Sequence, residues 1–367
     1  MKVALVHDYL NQYGGAEKVL EIFAEIFPNA PIYTLVYDPN LVKNILPGRE
    51  IRASFLQKIP FARSHHRLFP PLMPLAVERF DLSDYDLVLS DSAAFSKGVI
   101  TKPETLHICY CHTPIRYAWD DSHKYVREFN MSFWVKFFVP LFMNYLRLWD
   151  REAAFRVDRF ICNSEFVAKR IEKYYKSKAT VIYPPVDANK FFPGKKVENY
   201  FLMVGRLLVY KRFDLAINAF NELEIPLKII GTGPEMNKLK KMANWNIEFL
   251  GDVDNGKLRE YYQNCQALVF PQEEDFGIVA VEAMACGRPV IAYRGGGALE
   301  SVKEGETGIF FDEQKRDSLI GAIKKFNPDK FNPSKIHAYA KKFDKEIFGK
   351  KIKEFIEKAY HEHRNRH

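Results

Sequence analysis

The chain has 367 residues, enough for two domains of ordinary size, each with its own hydrophobic core. Its hydrophobic fraction of 47% is typical of a folded globular protein and excludes an intrinsically disordered chain. A formal net charge of +8 and an isoelectric point near 9.0 predict an anionic partner, either nucleic acid, a phosphorylated ligand or an acidic lipid surface. Because the sequence contains no zinc finger or RNP-type aromatic motif, nucleic acid is not the predicted partner.

The cellular compartment is predicted from three features of the sequence. The apolar opening at residues 3–6 is too short for a signal peptide. The five cysteines are scattered without a CxxC pair, which predicts neither a zinc site nor a disulfide framework. The longest apolar region, residues 133–149, is interrupted by charged residues and Pro140 and falls short of the roughly 20 apolar residues that a spanning helix needs. We therefore expect a cytoplasmic protein.

Short apolar runs alternate with amphipathic helical stretches along the chain, the pattern of parallel sheets covered by helices. The pattern predicts an α/β fold with one doubly wound domain in each half and a breaker-rich linker at residues 183–194. The first-half strands are predicted at residues 2–7, 32–35, 87–90, 106–111 and 159–162. The second-half strands are predicted at residues 201–204, 227–230, 247–250, 267–270, 289–292 and 308–311, before a last amphipathic helix near residues 345–361.

Two loops of the first half carry candidate ligand-binding residues. Asp8, Gly14 and Gly15 lie between the first strand and the first helix, where glycines let the backbone approach a ligand and a helix start presents N–H groups to negative charge. An ordinary strand-to-helix turn is the alternative interpretation of this loop. His112 and Arg116 follow the strand at residues 106–111, and the sequence alone leaves open whether the histidine is structural or catalytic.

Residues 58–73 interleave basic side chains with Phe and Leu. Such a segment can lie at a membrane interface, with its apolar side chains buried and its cations on acidic headgroups. The alternative is a segment packed on its own domain with a solvated basic face. Residues 133–149 are a second candidate for membrane contact.

In the second half, Arg206 and Lys211 follow the predicted strand at residues 201–204. Two cations at the carboxyl edge of a doubly wound sheet are well placed for a diphosphate, because Arg can bind phosphate oxygens with a two-pronged fork and Lys adds a compact charge. A pair of solvated surface cations is the alternative. Gly231 and Gly233 form a glycine turn after the next strand, to which we assign no ligand.

Glu274 and Glu282 are separated by seven residues and form the most informative pattern of the chain. The first follows a predicted strand in a polar turn, and the second lies inside a short apolar helix that opens near Phe276 and Gly277. The helix start invites an anion or a polyol, and a buried carboxylate needs polar partners. Chance spacing and a glycosidase acid/nucleophile pair are the alternatives.

The E-x7-E pattern and the G-R-x4-K spacing at Arg206 and Lys211 resemble retaining nucleotide-sugar glycosyltransferases of family 4. The resemblance implies the GT-B fold, with two Rossmann-like doubly wound domains facing a central cleft. The domains would be residues 1–182, completed by a C-terminal helix at residues 345–367, and residues 183–344. It also implies a catalytic role for Glu274 at the donor sugar. Donor contacts are implied at the following residues: Gly14, Gly15, Arg206, Lys211, Val253, Asp275, Phe276, Gly277, Ile278 and Glu282.

The run from His112 to Tyr117 resembles the acceptor-side motif of O-antigen-type GDP-mannose-dependent mannosyltransferases in that family. The resemblance places His112 near the transferred sugar as a catalytic residue, and it places Asp8 and Arg116 on the acceptor side. It implies retaining transfer of a hexose, mannose from GDP-mannose, to a glycan or polyprenyl-diphosphate-linked saccharide in cell-surface polysaccharide synthesis. No metal or other cofactor is expected, and the enzyme could lie at the inner face of the cell membrane. A nucleotide-sugar epimerase of similar fold and an inactive nucleotide-sugar-binding protein are the alternatives.

Overall fold

The structure is a computed structural model that describes residues 1–120 and 133–365, with the side chains of residues 67 and 133–138 outside the description. The chain forms two compact domains. The first comprises Met1–Tyr183 together with Gly349–His367, and the second comprises Pro184–Phe348. The boundaries lie at 183/184 and 348/349, against the expected 182/183 and 344/345.

The described residues of the first domain form seven parallel strands. They are β1 (Val3–Leu10), β2 (Ile32–Tyr37), β3 (Ile51–Ala53), β4 (Leu87–Ser92), β5 (Leu106–Cys111), β6 (Arg159–Cys162) and β7 (Ala179–Val181). Their order in the sheet is β3-β2-β1-β4-β5-β6-β7. The sequence analysis missed β3 and β7, since each has only three residues and an exposed polar residue at its centre, Arg52 and Thr180.

The helices of the first domain begin at residues suited to capping. Asp38 accepts hydrogen bonds from two backbone N–H groups at the start of one helix, and the Ser164 hydroxyl accepts from Val167 N at 3.0 Å at the start of another. Helix packing then buries apolar faces against the sheet. Within residues 1–120 and 133–183 the helices are α1 (Gly15–Ile26), α2 (Pro39–Ile45), α3 (Met73–Glu78), α4 (Arg116–Trp119), α5 (Phe133–Phe155) and α6 (Glu165–Tyr175).

The second domain contains six parallel strands and seven helices. The strands are β8 (Phe201–Val204), β9 (Leu227–Ile230), β10 (Ile247–Gly251), β11 (Leu268–Phe270), β12 (Val290–Tyr293) and β13 (Gly308–Phe311), in the order β10-β9-β8-β11-β12-β13. The helices are α7 (Phe213–Leu223), α8 (Met236–Met242), α9 (Asn255–Asn264), α10 (Ile278–Ala285), α11 (Ala298–Ser301), α12 (Arg316–Lys325) and α13 (Pro333–Ala340).

Both sheets reverse their strand order at one point. In the first domain the reversal falls between β1 and β4, and in the second it falls between β8 and β11. Ligands of doubly wound sheets bind outside the carboxyl ends of the strands at such a reversal. The two reversals therefore indicate where each domain can hold a ligand.

The last helix, α14 (Lys345–Arg364), begins in the second domain and continues from Gly349 as part of the first. It buries Ile352, Ile356 and Ala359, which recur at helical spacing. No helix among the described residues is both long enough and apolar enough to span a bilayer.

Candidate functional site

The phosphate end of the candidate site is built from two loops of the second domain. Arg206 is exposed in the loop after β8, and the glycine turn after β9 lies against that loop. A Cβ atom at Gly231 would lie 2.0 Å from the Gly205 carbonyl oxygen, and one at Gly233 would lie 2.5 Å from the Leu207 carbonyl oxygen. The two glycines thus allow close packing of the loop that carries Arg206.

Lys211 and Glu274 form an ion pair between the loops that follow β8 and β11. Their side chains are 17% and 14% exposed. Burial lowers the pKa of Lys211, but attraction to Glu274 outweighs it, so the net shift is upward, while the positive charge of Arg206 acts to lower it. The structure therefore brings Arg206, Lys211 and Glu274 together where the strand order reverses.

Glycines also fix the backbone around Glu274. Gly277 precedes α10 with φ 90°, and a Cβ atom there would lie 2.7 Å from the Phe270 ring. Gly296 has φ 60°, and its Cβ would lie 2.3 Å from the Glu274 carbonyl oxygen, which accepts a hydrogen bond from Gly297 N at 2.8 Å. The sequence analysis did not identify this second turn, although three consecutive glycines after a predicted strand were a usable signal.

The other predicted donor residues are distributed around this turn. Phe276 is buried and packs edge-on against Phe343 at 5.4 Å between ring centroids. Asp275 and Ile278 are partly exposed at the start of α10, and Val253 is partly exposed just after β10.

Glu282 is buried inside the apolar helix α10, and its Oε2 accepts a hydrogen bond from the Tyr262 hydroxyl at 3.0 Å. Burial first, and then the nearby Glu282 carboxylate, raise the pKa of Tyr262 well above its usual value. The contact explains how a carboxylate is tolerated in this helix, because a buried charge needs hydrogen-bond partners. Its predicted contact with the nucleotide ribose stays a prediction.

In the first domain, Asp8 accepts four backbone hydrogen bonds. They come from Ala93 N, Ala94 N, Phe95 N and Ser96 N, at 2.6–2.8 Å. The carboxylate is buried and satisfied by the turn after β4, so the structure gives Asp8 a local architectural contact. Its predicted place on the acceptor side receives no support from this geometry.

His112 lies directly after β5 and contacts Asp91 at the end of β4. The distance from His112 Nε2 to Asp91 Oδ1 is 2.6 Å, and the other Asp91 oxygen lies 2.9 Å from His7 Nδ1. Arg116 is partly exposed at the start of α4, in the next turn of the chain. The sequence analysis named His112 and missed Asp91 and His7, because their pairing depends on the register between β1 and β4.

Gly14 and Gly15 are at the beginning of α1, after the strand that carries His7. Gly14 is the N-cap residue of α1, and without a side chain it accepts no capping hydrogen bond from the helix. The first backbone N–H groups of the helix therefore depend on other partners. A Cβ atom at Gly14 would lie 3.3 Å from Glu17 Oε2. The geometry is compatible with the predicted anion contact, which stays a prediction.

No three His, Cys, Asp or Glu side chains are arranged to hold a metal ion in the part of the chain that the structure describes. The predicted absence of a metal requirement concerns activity and is a matter for experiment.

Two family models match the chain and together span most of it. Residues 13–190 match the model described as Glycosyltransferase Family 4, and residues 186–343 match the model described as Glycosyl transferases group 1. Together with the two Rossmann-like sheets, these matches support a glycosyltransferase of the GT-B type. The predicted fold class is confirmed.

Two curated relatives are similar in sequence. The chain is 29% identical to an uncharacterized glycosyltransferase of Methanocaldococcus jannaschii, over 59% of this chain and 63% of that protein. It is 28% identical to the alpha-1,3/1,6-mannosyltransferase ALG2 of Dictyostelium discoideum, over 49% of this chain and 54% of that protein. The chain thus spans less than two thirds of the length of either relative.

Among solved structures, the chain is similar to HepE of Anabaena in complex with UDP and glucose. The TM-score is 0.74 at 18% sequence identity, and the match covers 97% of this chain and 99% of that one. At this identity the likeness establishes the fold.

Proposed function

We propose that the protein is a retaining hexosyltransferase that transfers mannose from GDP-mannose. The observation that carries the proposal is the meeting of Arg206, Lys211 and Glu274 at the strand reversal of the second domain. A nucleotide sugar presents a diphosphate next to a polyol. Two cations beside a carboxylate match that sequence of groups, because Arg and Lys bind phosphate oxygens and a carboxylate accepts hydrogen bonds from sugar hydroxyls.

In the proposed reaction, the main electrostatic task is to stabilise the departing diphosphate. Arg206 and Lys211 supply positive charge in that role, and the start of α10 at Gly277 and Ile278 supplies backbone N–H groups. Glu274 orients the sugar, and Lys211 holds Glu274 in position. The departing phosphate assists the incoming acceptor hydroxyl on the same face of the sugar, which retains the anomeric configuration.

Two relatives point to different donors. ALG2 is named a mannosyltransferase, which favours mannose, whereas HepE was solved with UDP and glucose. The discriminating experiment is calorimetry with GDP and UDP, followed by turnover of GDP-mannose and UDP-glucose with a polyprenyl-diphosphate-linked saccharide as acceptor. We expect tighter binding of GDP and mannosyl transfer with retention, read from the anomeric proton of the product. Tighter binding of UDP and glucosyl transfer would replace mannose by glucose.

The same assay tests the alternatives to transfer. An epimerase converts the donor into a second nucleotide sugar without any acceptor, and a binding protein binds nucleotide without turnover. We expect acceptor-dependent release of GDP that survives EDTA. Loss of transfer on chelation, restored by Mg²⁺ or Mn²⁺, would contradict the proposed metal-independent mechanism.

A lipid-linked acceptor would place the enzyme at a membrane surface, and the first domain offers a surface for such contact. In residues 58–73, Phe61 is 75% exposed and Leu68 is 73% exposed beside the exposed cations Lys58 and Arg63. The segment is fixed to the loop after β1, since Asn11 Nδ2 donates to Arg63 O at 2.6 Å. We propose that this segment contacts anionic lipid at the inner face of the cell membrane.

Helix α5, which contains the second candidate region at residues 133–149, offers a second exposed apolar surface for membrane contact. Leu141, Tyr145 and Leu148 are more than half exposed and lie on one helical face at i, i+4 and i+7. Side chains 133–138 of that region lie outside the described residues.

A further inference from the structure

Four titratable side chains form a connected row in the first domain, and His112 is the member with the greatest exposure. In order along the row they are Glu17, His7, Asp91 and His112, with side-chain exposures of 4%, 3%, 0% and 12%. His7 and Asp91 are register partners on the neighbouring strands β1 and β4. His112 follows β5, the next strand of the sheet, and its backbone N donates to Ser92 O at 2.8 Å.

The contacts of the row define the proton positions. His112 Nε2 lies 2.6 Å from one Asp91 oxygen, and His7 Nδ1 lies 2.9 Å from the other. His7 Nε2 lies 3.6 Å from Glu17 Oε1. An ionised carboxylate only accepts hydrogen bonds, so each ring nitrogen that faces one carries a proton. The two hydrogen bonds to Asp91 therefore place protons on His112 Nε2 and His7 Nδ1, while His7 Nε2 faces Glu17 at ion-pair distance.

The electrostatics agree with this assignment. Burial acts to lower the pKa of His7, but hydrogen bonds and attraction to Asp91 and Glu17 raise it to about 10. Burial acts to raise the pKa of Asp91, and the imidazoles of His112 and His7 lower it below its usual value. Tyr110 also faces His112, edge-on at 5.1 Å between ring centroids.

We propose that Asp91 is a positioning residue that fixes the ring of His112 and holds its proton on Nε2, so that Nδ1 is the nitrogen presented to the substrate. Nδ1 has no hydrogen-bond partner among the described residues, and the ring is partly exposed. Glu17 and His7 hold Asp91 in place and charged. The inference rests on the proposed function in one respect, since a hexosyltransferase supplies the sugar substrate that the family resemblance places near His112.

A second buried histidine of the same sheet provides the contrast. His107 on β5 contacts the Ser90 hydroxyl at 2.9 Å, and burial lowers its pKa to about 4. A histidine that only fills the core of this sheet is thus kept neutral by burial. The row from Glu17 to His112 does the opposite, because its two carboxylates stabilise positive charge and its last ring reaches the surface.

The direct test is the tautomer of His112 in Asp91→Asn. The asparagine keeps the shape of Asp91, but its Nδ2 donates, so one of the two rings that contact it must accept. Nitrogen NMR of histidine-labelled protein reports which ring nitrogen is protonated, and comparison with His112→Ala assigns the signals. We expect His112 protonated on Nε2 in the wild type and partly or wholly on Nδ1 in the variant. Unchanged protonation of both His112 and His7 in Asp91→Asn overturns the proposal.

The kinetic arm measures GDP release from GDP-mannose with the saccharide acceptor. Asp91→Asn should lower kcat about 10²-fold, the scale of a misplaced substrate-orienting group, with donor KM nearly unchanged. Glu17→Gln should lower kcat in the same direction and less, by roughly 3- to 10-fold, because it is farther from His112. Ser90→Ala is the matched control, since it removes a buried hydrogen bond from the neighbouring residue of β4 and should leave kcat and tautomer unchanged.

If Asp91→Asn keeps the wild-type kcat, the proposal is overturned. If Asp91→Asn does not fold, a wild-type kcat in Glu17→Gln overturns the proposal instead. If the wild type turns over no nucleotide sugar, the proposed function fails. The NMR comparison then still decides whether Asp91 sets the protonation of His112, so the two failures are distinguishable.

Discussion

The two domains share one sheet topology and place their charged residues differently. In the first domain, charged side chains at the strand reversal are buried and bonded to one another, as in the row from Glu17 to His112. In the second domain, Arg206 is exposed and the pair of Lys211 and Glu274 is only partly covered. The same reversal of strand order thus carries a rigid internal network in one domain and ligand-accessible charge in the other.

The difference teaches that topology locates a site without determining its chemistry. Removing one member of a set of buried, mutually bonded charges destabilises the fold and disturbs the orientation of neighbouring groups, because another charge is left unpaired. Accessible charges contribute to ligand binding, and their loss leaves the fold nearly intact. Each domain should therefore respond differently to substitution.

The largest loss of activity should come from Glu274→Ala in the second domain. We expect turnover to fall by about 10²- to 10³-fold with little change in nucleotide affinity, because Glu274 acts on the sugar in the transition state. Glu282→Ala should do the reverse and weaken nucleotide binding more than turnover. Calorimetry with GDP and initial rates with GDP-mannose measure both. Equal loss of GDP affinity in the two variants would contradict this division of roles.

A smaller effect is expected from Arg206→Ala. The affinity for GDP should fall about 10- to 100-fold, since hydrogen bonds to charged groups are worth about 1.5–3 kcal/mol, while guanosine binding stays the same. The melting temperature should hardly change, because Arg206 is exposed. Wild-type affinity of the variant for GDP would remove the diphosphate assignment.

The first domain should respond to pH through His7. Its pKa is about 10 when folded and about 6.5 as a free side chain, so the stabilisation is complete below pH 6.5 and is lost as pH rises towards 10. One proton corresponds to a slope of at most about 1.4 kcal/mol per pH unit in the free energy of unfolding. Urea unfolding between pH 6.5 and 10 measures it. His7→Gln should lack this component, and an identical pH dependence in both proteins would show that His7 is not charged.

The smallest effect per substituted residue is expected on vesicle binding by residues 58–73. Each cation near an anionic surface contributes about 1 kcal/mol, and screening over about 10 Å at 0.1 M salt weakens it. Changing Lys58 and Arg63 to Glu should reduce co-sedimentation with acidic vesicles, more at low salt than at high salt.

The control changes Lys240 and Lys241 of α8 to Glu, which alters net charge equally in the second domain. Equal loss of vesicle binding in both variants would indicate a response to net charge, with no contribution specific to residues 58–73.

Much of the fold followed from the sequence. Eleven strands were predicted, and five of them, including β5 and β8, have the predicted bounds. Strand predictions succeeded where apolar runs were continuous, since buried parallel strands have that signature. They failed at β3 and β7, where three residues with a polar centre carry no periodic signal.

The candidate site was predicted unevenly. Local spacing marked Arg206, Lys211 and Glu274, because each lies just after a recognisable strand. It could not mark Asp91, which contacts His112 only through the pairing of β4 with its neighbours. Local spacing also could not show that Asp8 accepts four backbone hydrogen bonds, because the donors come from a turn more than eighty residues away.

Because the last helix belongs largely to the first domain, that domain is not fully synthesised until the second domain has been synthesised. Residues 349–367 leave the ribosome after the whole of residues 184–348, a delay of roughly ten to thirty seconds at about 5–20 residues per second. Until then, the surface of the first domain that buries Ile352, Ile356 and Ala359 is uncovered on the nascent chain. The first domain to be synthesised therefore receives its last helix only after the second domain has been synthesised.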